Sequence, residues 1–457
     1  MTRLPSIVIF DVGKTNKKIL VFDQQYNVVH EESGKLEEIK DEDGFACEDV
    51  AALTKWVQDS FDKILQDPRF DIKAVNFSAY GASFVYLDEQ GRVVAPLYNY
   101  LKPFSKQLQN KFYKTYGGES LVAKQTASPV LGNLNSGMQL YRLKYEKPEI
   151  FEKIKYALHL PQYLSFTLCS KLNSDITSIG CHTNLWHFQQ EQYHRWVKEE
   201  GIIEKFPAVL PCDQVALEIP GKIVFGTGLH DSSAALIPYL TSFHQPFVLL
   251  STGTWCISLN PFNHSQLTDY ELDNDCLCYL SYQGKPVKAS RLFAGYEHEQ
   301  QVKRLAAHFD KPEDYYTSVA VDISLLRKMK AMETEPVKKQ ESPMVGSSAF
   351  VNRNLGDLET YEEAYHQLIV DIVMQQVRST NIVLKGTRVK RIFVDGGFSK
   401  NPIYMYVLSS SFPGLEVYAA SVAQATALGA ALAIHDRWNT VAVPANVVEF
   451  TSAATAS

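Results

Sequence analysis

The chain has 457 residues and a formal net charge of -6, a balance that gives no broad basic face and sets aside nucleic acid and anionic membranes as partners. That length exceeds one ordinary core and suits two domains of roughly 220 residues, each able to bury ample apolar surface without disulfides. Seven cysteines lie scattered with no C-x-x-C pair, so the usual zinc and dithiol signatures are absent.

Residues 1–5 lead straight into a strand, leaving no room for a signal peptide. No apolar run approaches the ~20 residues of a membrane span, so a cytoplasmic setting is expected. Ile7-Val8-Ile9-Phe10 predicts a first strand that ends in Asp11-Val12-Gly13-Lys14-Thr15 and resumes at Lys18-Ile19-Leu20-Val21-Phe22. A turn over 23–27 and a strand near 28–30 follow. Val50, Leu53, Trp56, Val57, Phe61 and Ile64 recur at helical spacing. Residues 74–78 form the next strand, opening into Ala79-Tyr80-Gly81-Ala82-Ser83, and Asp88-Glu89-Gln90-Gly91 turns a second hairpin. Strand, helix, strand in this order predicts an α/β domain with a mostly parallel sheet, whose ligands sit at the carboxyl ends of the strands.

Residues 102–215 are aromatic-rich and read as a helical insertion lining a pocket. A short strand at 223–225 passes through Gly226-Thr227-Gly228-Leu229-His230-Asp231 into a helix over 232–239. The predicted boundary divides a first domain, 1–240, from a second, 241–457. Phe247-Val248-Leu249-Leu250-Ser251-Thr252-Gly253-Thr254 then repeats the opening hairpin, with Asp11 aligned to Ser251 and Gly13 to Gly253. Residues 311–340 are polar, rich in Lys and Glu, and a candidate lid. A helix over 361–377, a buried strand at 391–394, the loop Asp395-Gly396-Gly397-Phe398-Ser399-Lys400-Asn401-Pro402 and a small-residue helix over 423–432 complete the chain.

One apolar-D-x-G-x-T hairpin is an ordinary turn as readily as a binding site, because Asp, Gly and Thr suit turns for local reasons. Two at matched places in two halves predict a clamp, in which glycine lets the backbone approach and N–H groups donate to a polyphosphate.

Four motifs, in order, resemble the FGGY family of carbohydrate kinases within the actin-like ATPase superfamily, over nearly the whole chain. They are Asp11-x-Gly13-x-Thr15-x-x-Lys18, Gly228-x-x-Asp231, Ser251-Thr252-Gly253-Thr254-Trp255 and Asp395-Gly396-Gly397-x-Ser399-x-Asn401. Gln424-Ala425-Thr426-Ala427-Leu428-Gly429-Ala430-Ala431 resembles the family's C-terminal E-A-T-A-L-G-A-A, with Gln for Glu. Within the family the signatures look most like L-rhamnulose and L-fuculose kinases. The resemblance implies duplicated ribonuclease H-like domains around a cleft, with sugar on the first and ATP mainly on the second. Asp231 would be the general base that accepts a sugar hydroxyl proton during phosphoryl transfer; the alternative is a helix cap. Asp11 would hold Mg²⁺ through water.

ATP contacts would come from Gly13, Lys14, Thr15, Lys18, Ser251, Thr252, Gly253, Thr254, Gly396, Gly397 and Asn401. Of the two lysines, one reaches phosphate or both are simply solvated. Asn401 would reach the base edge or ribose. Tyr80, Ser83, Asn99, Gln125 and His230 would surround the sugar beside Asp231. The resemblance of His230-Asp231 and Ser251–Trp255 to the rhamnulose and fuculose branch implies a small ketose, a 6-deoxyketose or pentulose, while the departure from the rhamnulose-kinase pattern W-G-V-D-F at Tyr80-Gly81-Ala82-Ser83-Phe84, where Ser83 replaces an acidic contact, leaves the sugar open. The expected partners are a sugar and ATP, with no nucleic acid or membrane and a homodimer left open. Two other classes remain: an actin-like structural or chaperone ATPase, which does not need the 102–215 insertion, and a catalytically idle sugar sensor.

Overall fold

A computed structural model describes residues 3–218, 222–329 and 348–453. Each half is built on a seven-stranded mixed sheet. In the first, strand Leu4–Val12 pairs antiparallel with Lys17–Asp23 and parallel with Phe70–Ala79, which carries the parallel strands Val224–Gly226 and Leu229–His230. In the second, strand Phe247–Thr252 pairs antiparallel with Cys256–Asn260 and parallel with Arg391–Gly396. Both sheets therefore bring a hairpin tip and the end of a parallel strand to one edge, the position where α/β sheets bind ligands.

Local chemistry accounts for the elements. The helix Val50–Gln66 buries Val50, Leu53, Val57, Phe61 and Ile64, and Asp49 caps it by accepting the Ala52 N–H at 3.0 Å. The strand Leu4–Val12 is apolar on both faces because helices cover the sheet on both sides.

Two helices join the halves. Asp231–Ser242 ends the first half, and Ala425–Ala433 comes from the end of the second. At Gly429 they approach so closely that an added Cβ would stand 1.9 Å from the Ala234 carbonyl oxygen, so only hydrogen fits there. Asn76 Nδ2 on the first sheet donates to the Ala430 carbonyl at 2.8 Å, tying that helix to the first half. A cluster of buried apolar side chains runs through the joint, from Ile7 and Leu20 to Leu249 and Phe393.

The predicted elements shift in four places. The helix expected over 361–377 runs to Leu384, because Thr380 and Val383 continue its buried face. The small-residue helix expected over 423–432 begins at Ala425, since Gln424 takes a left-handed conformation with φ 53°. The segment expected as a helical insertion also contains strands, and its Tyr156–His159 pairs with Phe84–Leu87. Where a hairpin was expected at 88–91, Phe84–Leu87 meets the chain beyond the turn only through a single bridge, Leu87 to Val93. Of the candidate lid, 330–347 lies outside the described residues. The rest holds a turn at Tyr315–Ser318 and a helix at Ile323–Lys328. All seven cysteines are free and buried. Among the described residues no helix is long and apolar enough to cross a membrane.

Candidate active site

The first hairpin closes on itself, with the Gly13 N–H donating to the Asn16 carbonyl at 2.9 Å, and Thr15 is exposed at its tip. Its lysines are engaged. Lys14 pairs with Glu38, and Lys18 pairs with Glu31 at 3.0 Å and donates to Gln424 at 3.1 Å. Neither offers the free ammonium that the motif suggested, because glutamates on neighbouring strands reach them first. Lys17, which the motif passed over, is 2 % exposed and donates to Glu48 at 2.6 Å and to the Lys14 carbonyl at 3.0 Å. It ties the hairpin to the short strand Ala46–Glu48.

Asp11 stands at the end of the same strand, opposite Ser78 in the parallel register. Its Oδ2 accepts from the Thr426 hydroxyl at 2.6 Å, a bond that crosses from the second half to the first. Burial pushes the Asp11 carboxyl up to about 6, and the charge of Asp231 adds to the rise.

Asp231 opens the helix Asp231–Ser242, with His230 at the cap position. Its carboxylate accepts from its neighbour, the Ser232 N–H, at 2.6 Å, and does not reach the following turn as a capping Asp would. Burial pushes Asp231 up to about 6 as well. His230 Nε2 lies 3.3 Å from Asp231 Oδ1, and burial holds the imidazole down to about 4. The contact at neutral pH is thus to an uncharged ring. Cys181, at 3.4 Å from His230 Nε2, and Tyr279, stacked at 6.0 Å between centroids, complete its surroundings. Tyr279 comes from the second half, so the two halves meet beside Asp231.

Tyr80 and Ser83 are buried; the Ser83 Oγ and the His230 Nδ1 lack hydrogen-bond partners, while the Tyr80 hydroxyl, raised by burial, has the Glu48 carboxylate beside it. Tyr100 stands edge-on to Tyr80 at 6.1 Å, and burial, with the charge of Asp231 adding to it, raises its hydroxyl. Buried polar groups without partners are uncommon, and a pair on one loop and its neighbour suits a polyhydroxylated ligand. Two expected sugar contacts do not join them. Asn99 donates to the Ala46 carbonyl at 3.2 Å and accepts the Leu101 N–H at 3.0 Å. Gln125 Oε1 meets His194 Nε2 at 2.9 Å. Both side chains are held by the fold around them.

In the second half Gly253 repeats Gly13, its N–H donating to the Trp255 carbonyl at 2.9 Å. Ser251 and Thr254 are exposed at the tip. Thr252 is not a free donor: its hydroxyl donates to the Asp395 carbonyl at 2.6 Å and accepts the Phe398 N–H at 3.0 Å, which ties the glycine loop to the hairpin. The two loop glycines differ. Gly396 has φ 93°, and an added Cβ would stand 1.8 Å from the Thr252 carbonyl, whereas at Gly397 nothing lies within 4 Å. Gly396 is needed for backbone packing, and Gly397 faces open space.

That space is a cavity of about 440 Å³ between the hairpin, the helix Ala294–Phe309 and the loop, lined by Gly253, His298, Tyr316, Tyr365, Gly397 and Phe398 among others. Asn401 stands at its edge with its side chain engaged: Oδ1 caps the helix Pro402–Ser411 and Nδ2 donates to Tyr365. One of its two Nδ2 hydrogens is thus spent on Tyr365 rather than on a base edge or ribose. His298, Tyr316 and Tyr365 carried no motif.

Among the described residues no three His, Cys, Asp or Glu side chains cluster as a metal site. Asp11, a part-buried carboxylate that feels the charge of Asp231, offers the oxygen donor that suits a hard cation such as Mg²⁺.

The N-terminal domain of the FGGY family of carbohydrate kinases matches residues 6–236, and a carbohydrate kinase FGGY C-terminal domain matches 244–442. A rhamnulokinase of Klebsiella pneumoniae is 22% identical over 293 residues, covering 59% of this chain and 57% of that protein. One from Halalkalibacterium halodurans is 24% identical over 284 residues, covering 58% and 57%. The chain thus spans little more than half the length of these curated relatives. A carbohydrate kinase from Novosphingobium aromaticivorans superimposes with a TM-score of 0.79 at 22% identity, over 99% of this chain and 94% of that one. A ligand-bound xylulose kinase from Lactobacillus acidophilus does so at 0.78 and 16%, over 98% and 93%. At these identities the likeness speaks for the shared fold.

Proposed function

Because the chain belongs to the FGGY family of carbohydrate kinases, we propose that it transfers the γ-phosphoryl group of ATP to a hydroxyl of a small sugar, with Asp231 as the general base. The observation that carries this reading is the placement of Asp231. It is a part-buried carboxylate at the joint between the halves, beside the partnerless Ser83 hydroxyl of the loop 80–83. A sugar hydroxyl is a poor nucleophile, and phosphoryl transfer gains when a positioned carboxylate accepts its proton as the new P–O bond forms. A carboxyl raised to about 6 serves this well, since it is ionised at neutral pH yet more basic than an exposed aspartate. Neutral His230 orients the carboxylate through Nε2 without forming a strong ion pair that would weaken it as a base.

The cavity beside Gly397 takes the nucleoside, and the tips at 13–16 and 251–254 face the phosphates with backbone N–H groups and hydroxyls. Asp11 would hold Mg²⁺ through water, and the ion when bound would neutralise phosphate charge. Thr426 keeps the Asp11 carboxylate in place for it.

For the acceptor we propose a ketose, a 6-deoxyketose or a pentulose. Two rhamnulokinases stand among the relatives and a xylulose kinase among the structural neighbours, while Tyr80 and Tyr100 offer aromatic surface to a methyl group or sugar face. An ADP-release screen with ATP, Mg²⁺ and a panel of ketoses, aldoses and polyols tests this. A ketose should give the highest kcat/KM, and Ser83→Asp should reorder the ketoses without changing the ATP parameters. A best response to glycerol or an aldohexose would refute the assignment.

A further inference from the structure

The cavity of the second half contains a hydrogen-bond relay that none of the roles above uses. It starts at Asn401, whose Oδ1 accepts the N–H groups of Ile403 and Tyr404 at 3.1 and 3.0 Å. That fixes the amide orientation and leaves Nδ2 as a donor, which reaches the Tyr365 hydroxyl oxygen at 2.7 Å. The same hydroxyl lies 3.0 Å from His298 Nε2. Tyr365 is 1% exposed, so its proton needs an acceptor within the protein, and an amide nitrogen cannot be one. The proton therefore goes to His298 Nε2.

A neutral imidazole carries one N–H, and burial holds His298 down to about 4, so at neutral pH its hydrogen sits on Nδ1. No partner for Nδ1 exists among the described residues. Tyr316 at 5.1 Å, Tyr365 at 5.8 Å and Phe398 at 5.3 Å enclose the ring edge-on, and His298 lines the cavity.

We propose that His298 is a nucleotide-specificity residue: an Nδ1–H donor, held in that tautomer by the Asn401–Tyr365 relay, that hydrogen-bonds an acceptor atom of the nucleoside in this cavity. The proposal rests on the nucleotide reading of the cavity. It assigns to His298 a polar contact with the nucleoside that no sequence motif had indicated. A donor that cannot reverse its role favours an acceptor at that place and discriminates against a donor.

Calorimetric titration of the whole chain with ADP, and separately with inorganic tripolyphosphate, tests it. His298→Phe should weaken ADP binding about 3- to 10-fold, the scale of one net hydrogen bond, and leave tripolyphosphate binding unchanged. His298→Asn, whose amide N–H falls near the place of the imidazole Nδ1–H, should keep most of the affinity. Tyr365→Phe, which releases the tautomer, should lie between. Nitrogen-15 NMR of the histidine-labelled parent should show Nδ1 protonated and Nε2 bare. The opposite tautomer, a His298→Phe variant with parental ADP affinity, or equal losses for ADP and tripolyphosphate would each overturn the proposal. A parent that binds no ADP would overturn the nucleotide reading itself, a result distinct from an unchanged variant of a parent that does bind.

Discussion

Asp231→Asn should inactivate the protein and stabilise it at the same time. Asparagine keeps the size and the acceptor toward Ser232 but cannot take a proton, so kcat should fall 10²-fold or more while ATP still binds. Raising a carboxyl from 3.8 to about 6 corresponds to about 3 kcal/mol against the charged form. The side chain keeps 31% of its exposure, so solvent screening reduces this to about 1–2 kcal/mol. The unfolded chain ionises at 3.8 and the folded chain at about 6, so the folded state holds the proton more tightly. Its stability falls as pH rises through that window and stays lower above it. Asparagine escapes this loss. Above pH 6 the variant should melt higher, by about 2–4 °C per kcal/mol, and near pH 4 the two should converge. In the parent, kcat/KM should drop by more than tenfold per pH unit below about 6, since Asp231 and Asp11 both take up a proton there. Thermal melts by circular dichroism at pH 4 and 7.5, beside ADP release, check both halves. Parental turnover would leave Asp231 a structural residue, and a lower melting temperature at pH 7.5 would refute the burial argument.

The two loop glycines should separate fold from binding: Gly396→Ala should destabilise by about 1–3 kcal/mol in urea unfolding, because its Cβ meets the Thr252 carbonyl at positive φ. Gly397→Val should fold like the parent and raise KM for ATP far more than for sugar; equal rises would argue against the nucleotide assignment. Thr426→Val removes the 2.6 Å donor to Asp11, so the Asp11 carboxyl should rise above about 6 and the acid limb of kcat should move up by about one pH unit, with Thr426→Ser restoring it. Lys17→Met leaves Glu48 without its closest partner and should cost about 3–5 kcal/mol in urea unfolding, much of it recovered by adding Glu48→Gln.

The hairpins, the Asp231 turn and the glycine loop are visible in the sequence because each is a local event, an apolar run broken by Asp, Gly and Thr. What the sequence hides depends on partners far along the chain. Lys14, Lys17 and Lys18 look alike in a row, and only the approach of Glu48 separates the buried one from its neighbours. Asn99 and Gln125 have suitable chemistry at the expected places, yet Ala46 and His194 hold them. Asn401 could have been assigned from the sequence: Asn followed by Pro and an apolar run is a helix start, with Asn as cap and Pro in the first turn. His298 had no such signal, since its meaning comes from Tyr365, 67 residues away.

The duplication also explains why the two hairpins cannot play the same part. In the first sheet the acid stands on the hairpin strand, Asp11, and the hydroxyl on the parallel neighbour, Ser78. In the second they exchange places, with Ser251 on the hairpin strand and Asp395 on the neighbour. Asp395 is then held by the Tyr239 hydroxyl at 2.8 Å and the Gly396 N–H at 2.7 Å, which turn it toward the protein. Asp11 feels the charge of Asp231 within the same half. One hairpin thus brings negative charge, suited to a cation, to the side of Asp231, the proposed base. The other presents hydroxyl and backbone donors, suited to anionic oxygens, to the side of the cavity. A polyphosphate between them would meet donors on one side and, on the other, carboxylates that tolerate it only with a cation interposed. Phosphoryl transfer requires that division of labour, and simple phosphate binding does not.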